Sequence, residues 1–128
     1  MLLLDTCTFL WAATDDACVP DVVKTRLRDP NEQVWLSAVS AWEMCLKFAL
    51  GKLPLPEPPE RYIPNRRVRL GVTALPLEES DVTPIIKLPA LHRDPFDRML
   101  VAQAIARGLT IVTPDVAVRS YPCLTWWG

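Results

Sequence analysis

Short apolar runs recur along the chain and are too brief to form buried helices. They predict buried strands at Leu2–Asp5, Val34–Leu36 and Thr110–Thr113, with two further strands at Val72–Leu75 and Leu124–Trp126. Longer segments with helical periodicity separate these strands. Such alternation favours an α/β fold, in which helices cover both faces of a mostly parallel sheet.

Residues that cap or stop helices mark the ends of the helical segments. The pattern predicts helices over Thr6–Ala13, over Asp21–Arg28, from Ser37 or Ser40 to about Leu50, and over Asp94–Arg107. Gly51 and Gly108 supply the stops of the last two helices.

Proline dominates the middle of the chain. Five prolines fall within Pro54–Pro64, so this segment is predicted to contain no regular element, with a short amphipathic helix only near Arg61–Leu70. A loosely formed helix is predicted over Glu78–Leu88, with an interruption at Pro84.

Length and composition bound the class of protein. A chain of 128 residues, 50% of them hydrophobic, fits one domain covering residues 1–128. Its net charge of −1 argues against a generally basic nucleic-acid coat, although a local basic patch is possible. Met1–Leu4 lacks the features of a signal peptide, and no apolar run approaches the ~18 residues of a membrane span. We therefore expect a cytoplasmic protein without a membrane segment.

The four cysteines form neither a zinc motif nor a disulfide framework. They lie at Cys7, Cys18, Cys45 and Cys123, without a C-x-x-C pair, and His92 is the single histidine. Each cysteine lies among core-forming residues, so reduced and buried thiols are expected.

Two aspartates follow directly on predicted strands. Asp5 precedes Thr6 and could simply cap the first helix, and Asp115, which follows Pro114, could be a turn or cap residue. The capping interpretation and the functional one both stay open for each residue taken alone.

Two further acids lie in helical segments. Glu43 is at the edge of an apolar stripe formed by Val39, Trp42, Leu46, Ala49, Leu50 and Leu53. There it either serves a function or pairs with Lys47, four residues later. Asp94 is well placed as an N-cap, and Asp97 is either a capping-box acid or a functional residue at the mouth of the core.

Taken together, the four acids predict a metal site. In open parallel sheets, ligands bind outside the carboxyl ends of the strands, where Asp5 and Asp115 lie and where Glu43 and Asp97 begin their helices. Two carboxylates about 5 Å apart repel by roughly 3 kcal/mol at an effective dielectric of about 20, so the set needs either a cation or bound protons to neutralise it. Oxygen ligands without histidine or thiolate favour Mg²⁺ or Mn²⁺, which can activate water to hydrolyse a phosphodiester.

Five segments of the chain carry a family resemblance. They are Leu3–Thr6, Ser40–Glu43 continuing to Lys47, Leu50–Leu53, His92–Arg98 and Val112–Asp115. In this order they resemble PIN domains and, more narrowly, the VapC-type toxins of bacterial toxin–antitoxin pairs. The match spans nearly the whole chain.

The resemblance implies a three-layer α/β/α sandwich with a mainly parallel sheet of order 3-2-1-4-5. It also implies an endoribonuclease that depends on Mg²⁺ or Mn²⁺, forms a homodimer and is inhibited by a small antitoxin. Carried over by position, the acidic metal-site residues are Asp5, Glu43, Asp97 and Asp115, with Thr6 and Thr113 as supporting polar residues. Pro114 stands where the family more often has another residue, so Asp115 ranks below the other three acids.

An acidic pocket requires basic residues around its rim to hold RNA. The candidates are Arg61, Arg66, Arg67, Arg69, Arg93 and Arg98, with a solvated charged face as the alternative. Trp11, Trp42 and Phe48 could stack bases or line an antitoxin groove, although core packing is the expectation for each of them.

Other functions stay open at this point. The same metal chemistry suits a structure-specific DNA nuclease, and an acid-lined pocket could capture a partner's arginine without catalysis. A phospho-acceptor receiver domain would carry paired acids after its first strand, and Asp5 with Thr6 lacks that pair.

Overall fold

The computed structural model describes residues 1–91 and 94–128 and contains a five-stranded, entirely parallel sheet. The strands are β1 (Leu2–Leu4), β2 (Val34–Ser37), β3 (Thr73–Leu75), β4 (Thr110–Val112) and β5 (Leu124–Trp126). They lie in the order β3-β2-β1-β4-β5, which confirms the predicted topology.

Seven α-helices and one 3₁₀ turn connect the strands in the described part of the chain. The helices are α1 (Thr6–Ala13), α2 (Asp21–Arg28), α3 (Ala38–Ala49), α4 (Pro59–Leu70), α5 (Glu79–Val82), α6 (Pro95–Arg107) and α7 (Val116–Arg119), and the 3₁₀ turn is Thr83–Lys87. Gly108 ends α6 in the left-handed conformation, as predicted.

Two hydrophobic clusters fill the layers on either side of the sheet. Successive side chains of a strand point to opposite faces, so Leu2 and Leu4 pack into one cluster and Leu3 into the other. The first cluster includes Phe9 of α1, and the second includes Leu100 of α6. The result is the predicted three-layer α/β/α sandwich.

Strand register brings three chain segments to the same edge. Leu4 of β1 pairs with Leu36 of β2 and with Val112 of β4. The next residues along these three segments are Asp5, Ser37 and Thr113. All three therefore emerge together at the carboxyl edge of the sheet.

The proline-rich segment is more regular than predicted. Helix α4 begins at Pro59 and contains Pro64, so the expectation that Pro54–Pro64 holds no regular element is wrong. A proline at the first helical position needs no N–H partner, and the buried side chains of Tyr62 and Ile63 hold this turn to the core. The segment around Pro84 does divide, into α5 and the 3₁₀ turn.

The cysteines are free thiols, as expected, but their predicted burial is wrong for three of them. Cys7 and Cys45 are exposed because Phe9 and Met44 take the core-facing positions of their helices, and Cys18 is exposed in the turn between α1 and α2. Within the described ranges, no helix has the length and apolar character needed to cross a membrane.

Candidate active site

Asp5 links the ends of β1 and β4. One carboxylate oxygen accepts the backbone N–H of Thr8 at 2.8 Å, so Asp5 does cap α1. The other oxygen accepts a hydrogen bond from the hydroxyl of Thr113, which is fully buried at the end of β4. The Thr113 hydroxyl also accepts the backbone N–H of Asp115 at 3.0 Å. The capping and functional interpretations of Asp5 are therefore compatible.

Asp5 is a buried acid without an ion-pair partner in the described part of the chain. Its residue is 7% exposed, and burial raises the pKa of its carboxyl, with the negative charge of Asp115 adding to the increase. Hydrogen bonds from Thr113 and Thr8 act in the opposite direction. Across residues 1–91 and 94–128, no lysine or arginine forms an ion pair with it. Ionised Asp5 therefore carries an uncompensated charge.

One hydrogen bond, from Thr6, connects Glu43 to the segment that carries Asp5. The hydroxyl of Thr6, the residue after Asp5, donates to one Glu43 oxygen at 2.7 Å. The ammonium of Lys47 donates to the other oxygen at 2.5 Å, and this bond raises the pKa of Lys47. Both interpretations of Glu43 thus have support. It forms the anticipated ion pair with Lys47, and it also lies with Asp5 at the carboxyl edge of the sheet, the acid edge of this protein.

The predicted apolar stripe of α3 is wrong in phase. The buried residues of this helix are Val39, Ser40, Glu43 and Met44, whereas Trp42, Leu46 and Leu50 are exposed. Glu43 consequently lies within the buried face and is 5% exposed. An acid at such a position must be paired, which its two hydrogen bonds achieve.

Asp94 and Asp97 begin helix α6 next to α3. The Asp94 side chain accepts the N–H groups of Phe96 and Asp97 at 2.9 and 3.3 Å, which confirms its predicted capping role. Phe96 packs edge-on against Trp42, with ring centroids 4.7 Å apart. These rings immediately precede Asp97 and Glu43 in the sequence, so the two acids lie on adjoining helices.

Cys7 reports the convergence of three acids. Although Cys7 is exposed, the pKa of its thiol is raised to about 11, first because surrounding protein atoms desolvate the thiolate and then by the negative charges of Asp5, Glu43 and Asp97. The sequence offered no signal for Cys7, because an isolated cysteine in a helix carries no motif. The charges of these three acids, which are far apart in the chain, therefore all act on Cys7 in the first turn of α1.

Asp115 lies at the margin of this group. It is exposed and caps α7 by accepting the N–H of Ala117 at 2.8 Å, which matches the capping alternative. Its charge nevertheless reaches Asp5.

Comparison with known proteins places the chain in a family. The PIN-domain family model matches residues 2–122. The chain belongs to the PIN-domain family. A stretch of 54 residues is 41% identical to Ribonuclease VapC16 of Mycobacterium tuberculosis, and it covers 42% of this chain and 38% of that protein.

Solved structures show the same fold at low identity. A chain of the VapBC2 structure from Rickettsia felis, bound to a promoter DNA fragment, matches with a TM-score of 0.74 and 16% identity over 98% of this chain and 96% of that one. A chain of FitAcB from Neisseria gonorrhoeae matches with a TM-score of 0.61 and 21% identity, over 98% of this chain and 96% of that one.

The acids of this PIN domain are not drawn tightly together. Among the described residues, no three acidic, cysteine or histidine side chains are close enough to hold a metal ion as they stand. Glu43 is engaged with Thr6 and Lys47. The donor set itself consists of carboxylate and hydroxyl oxygens, the ligands suited to a hard divalent cation.

The predicted RNA-binding arginines are dispersed. Arg66 donates to the carbonyl of Ala13 at 3.4 Å, at the far end of α1 from Asp5, and an eight-residue helix is about 12 Å long. Arg69 lines a cavity of about 430 Å³ near that same end. Arg66 therefore lies away from Asp5, at the opposite end of α1.

The other arginines differ in their surroundings. Arg98 donates to the carbonyl of Pro89 at 2.9 Å and to the hydroxyl of Tyr121 at 3.2 Å. Arg61 is exposed and Arg67 is half-buried on α4, while Arg93 lies outside the described residues together with His92.

The aromatic candidates also divide. Trp11 and Phe48 are half-buried, and Trp11 packs against the core and edge-on against Trp127, as expected. The expectation of core packing is wrong for Trp42, which is 58% exposed because α3 buries its opposite face.

Proposed function

We propose that this PIN domain is a divalent-metal-dependent endoribonuclease and the toxin of a toxin–antitoxin pair. The observation that carries the proposal is a pair of buried acids, Asp5 and Glu43, at the carboxyl edge of the sheet. Asp5 has no ion-pair partner among the described residues, and Asp97 lies in the first turn of the adjoining helix α6. A fold does not by itself define an activity, so the acids and not the sheet are the basis of the proposal. The name of the Mycobacterium relative supports the choice of RNA as substrate.

The chain offers a suitable set of metal-holding residues. Asp5, Glu43 and Asp97 would hold Mg²⁺ or Mn²⁺, with Asp115 at the margin, because hard cations prefer carboxylate oxygens. When bound, such an ion supplies a water of lowered pKa and neutralises charge on the phosphodiester.

Three threonines position the acids. Thr113 and the N–H of Thr8 hold the Asp5 carboxylate in one orientation, and Thr6 does the same for Glu43. Each carboxylate oxygen has two acceptor sites, so an oxygen that accepts one hydrogen bond can still bind an ion. The hydrogen bonds of the threonines thus orient the site without blocking it.

Protein partners are part of the proposal. Trp42, Leu46 and Leu50 form an exposed apolar row along α3, which suits a second copy of the chain or an antitoxin. The structures of VapBC2 and FitAcB support an antitoxin by analogy. Free thiols suit a reducing compartment such as the cytoplasm.

The test is RNA cleavage by the purified protein with added Mg²⁺ or Mn²⁺. We expect Asp5→Asn and Asp97→Asn to abolish cleavage while the far-UV circular dichroism spectrum is retained. Asp21→Asn, an exposed acid on α2, is the matched control and should cleave normally. Cleavage that persists in the two variants or in excess chelator contradicts the proposal. Equal cleavage of matched DNA would instead favour the DNA-nuclease alternative.

A further inference from the structure

One ion pair at the acid edge joins a fixed group to a mobile one. Glu43 is almost completely buried and is held on its other oxygen by Thr6. The side chain of Lys47 is 46% exposed and extends along the surface of α3. If the pair separates, Lys47 can move into water on its flexible stem, whereas Glu43 has to stay where it is.

Lys47 lies toward the other acids as well as toward Glu43. Its pKa is raised first by the hydrogen bond to Glu43, and the charges of Asp94 and Cys7 also contribute. Asp94 caps α6, the helix whose first turn carries Asp97. The ammonium group is therefore bonded to Glu43 on α3 and lies within reach of the negative charge of Asp94, the cap of α6.

We infer that Lys47 is a built-in counter-ion of the acid site, and that it competes with the divalent cation for Glu43. This inference rests on the proposed metal site. One oxygen of Glu43 accepts a hydrogen bond from the Lys47 ammonium at 2.5 Å, so a divalent ion that approaches this carboxylate meets a positive charge. Binding of a divalent ion then requires Lys47 to leave, and its departure uncovers a carboxylate that Thr6 keeps in place.

The competition is electrostatic as well as steric. A positive charge within hydrogen-bond distance of Glu43 repels a divalent cation at the same carboxylate. Replacing Lys47 by methionine keeps the length of the stem and the helix propensity but removes the charge. Arginine in the same place keeps the charge.

The experiment is a titration with Mn²⁺ alone, followed by the electron paramagnetic resonance signal of free Mn²⁺ and by isothermal calorimetry. We expect Lys47→Met to bind Mn²⁺ at least about tenfold more tightly than the wild type. Lys47→Arg should bind as the wild type does. Lys52→Met removes the same charge from an exposed residue just beyond α3 and controls for net charge.

The outcomes separate two claims, the proposed metal site and the competition by Lys47 for Glu43. If the wild type binds Mn²⁺ and Lys47→Met binds no tighter, competition by Lys47 is wrong while the proposed metal site stands. If neither protein binds Mn²⁺, both claims are wrong. Should Lys47→Met fail to fold, Lys47→Gln is titrated in its place, and unchanged or weaker Mn²⁺ binding by that variant again rejects the competition.

Discussion

Two buried aspartates of this protein have opposite environments. Asp81, in α5, is 2% exposed and accepts hydrogen bonds from Arg107 on both oxygens at 2.9 Å. The Arg107 guanidinium holds the pKa of the Asp81 carboxyl down at about 2. Among the described residues, the donors to Asp5 are neutral, and burial raises the pKa of its carboxyl.

The surroundings of Asp81 form a closed network. The buried side chain of Gln103 donates to Asp81 at 3.3 Å and to the carbonyl of Pro76 at 3.1 Å, and it accepts from Ser37 at 2.6 Å. Both amide hydrogens and the amide oxygen of Gln103 are therefore used. The network ties the start of α3 to α6 and needs no external group.

The comparison separates a structural acid from a functional one. The charge of Asp81 is compensated by Arg107, whereas no lysine or arginine within residues 1–91 and 94–128 forms an ion pair with Asp5. Buried charges are costly unless they are paired. An uncompensated one that neighbours other acids at a sheet edge is therefore the mark of a site in this protein.

The largest expected effect is on the activity of Asp5→Asn. The substitution removes the central charge of the acid edge but keeps the shape of the side chain. RNA cleavage should fall by more than about a hundredfold. The free energy of unfolding in urea should stay level or rise, because the uncompensated charge is gone. If unfolding of Asp5→Asn accounted for its loss of activity, Asp5 would be a structural acid like Asp81.

The second effect is on the stability of Asp81→Asn. Removing the charge leaves Arg107 without its partner and disturbs the hydrogen bond from Gln103. The free energy of unfolding should fall by about 3 kcal/mol, measured by urea denaturation. Asp15→Asn breaks an exposed ion pair with Lys24 and is the control, with a much smaller expected change.

The pH dependence of stability should differ in sign between the two acids. The pKa of Asp81 is lowered from 3.8 to about 2, so its contribution is present above pH 3.8 and is lost as the pH falls toward 2. The pKa of Asp5 is raised, so its contribution is present at low pH and is lost as the pH rises above 3.8.

Urea denaturation at a series of pH values below 6 measures how Asp81 and Asp5 each contribute to the free energy of unfolding. Relative to the wild type, Asp81→Asn should lose less stability on acidification, and Asp5→Asn should lose more. Parallel profiles for the three proteins would show that the two environments do not differ.

The smallest effect is expected for Thr113→Val. Valine keeps the shape but removes the hydroxyl that donates to Asp5 and accepts from Asp115. Cleavage should fall by about tenfold, since the carboxylate loses its orientation and not its charge. Thr113→Ser retains the hydroxyl and should keep most of the activity. Equal losses in both variants would mean that packing, and not the hydrogen bond, is what matters.

The sequence predicted the acid edge because local rules determine it. Asp5 and Thr113 each end a short apolar strand, and parallel strands in register bring such residues together. Asp94 was recognisable as a cap from the proline that follows it. These features depend on neighbours in the chain, which a sequence displays directly.

The features that could not be predicted depend on distant packing. Asp81 and Arg107 are 26 residues apart, and no local pattern relates them. The predicted buried face of α3 was wrong, because Trp42 and Leu50 have the spacing of a buried stripe whereas Glu43 lies on the face that is actually buried. Arg66 is close to Arg61 in sequence, but the direction of α4 carries it to the far end of α1.

The most direct measurement is the thermal unfolding of the wild type, Asp5→Asn and Asp81→Asn with increasing Mn²⁺. A ligand that binds the folded state raises the melting temperature in proportion to its binding. We predict that Mn²⁺ stabilises the wild type and Asp81→Asn, although the latter starts lower, and has no effect on Asp5→Asn. Equal stabilisation of Asp5→Asn and the wild type would contradict the assignment of Asp5 to a cation site.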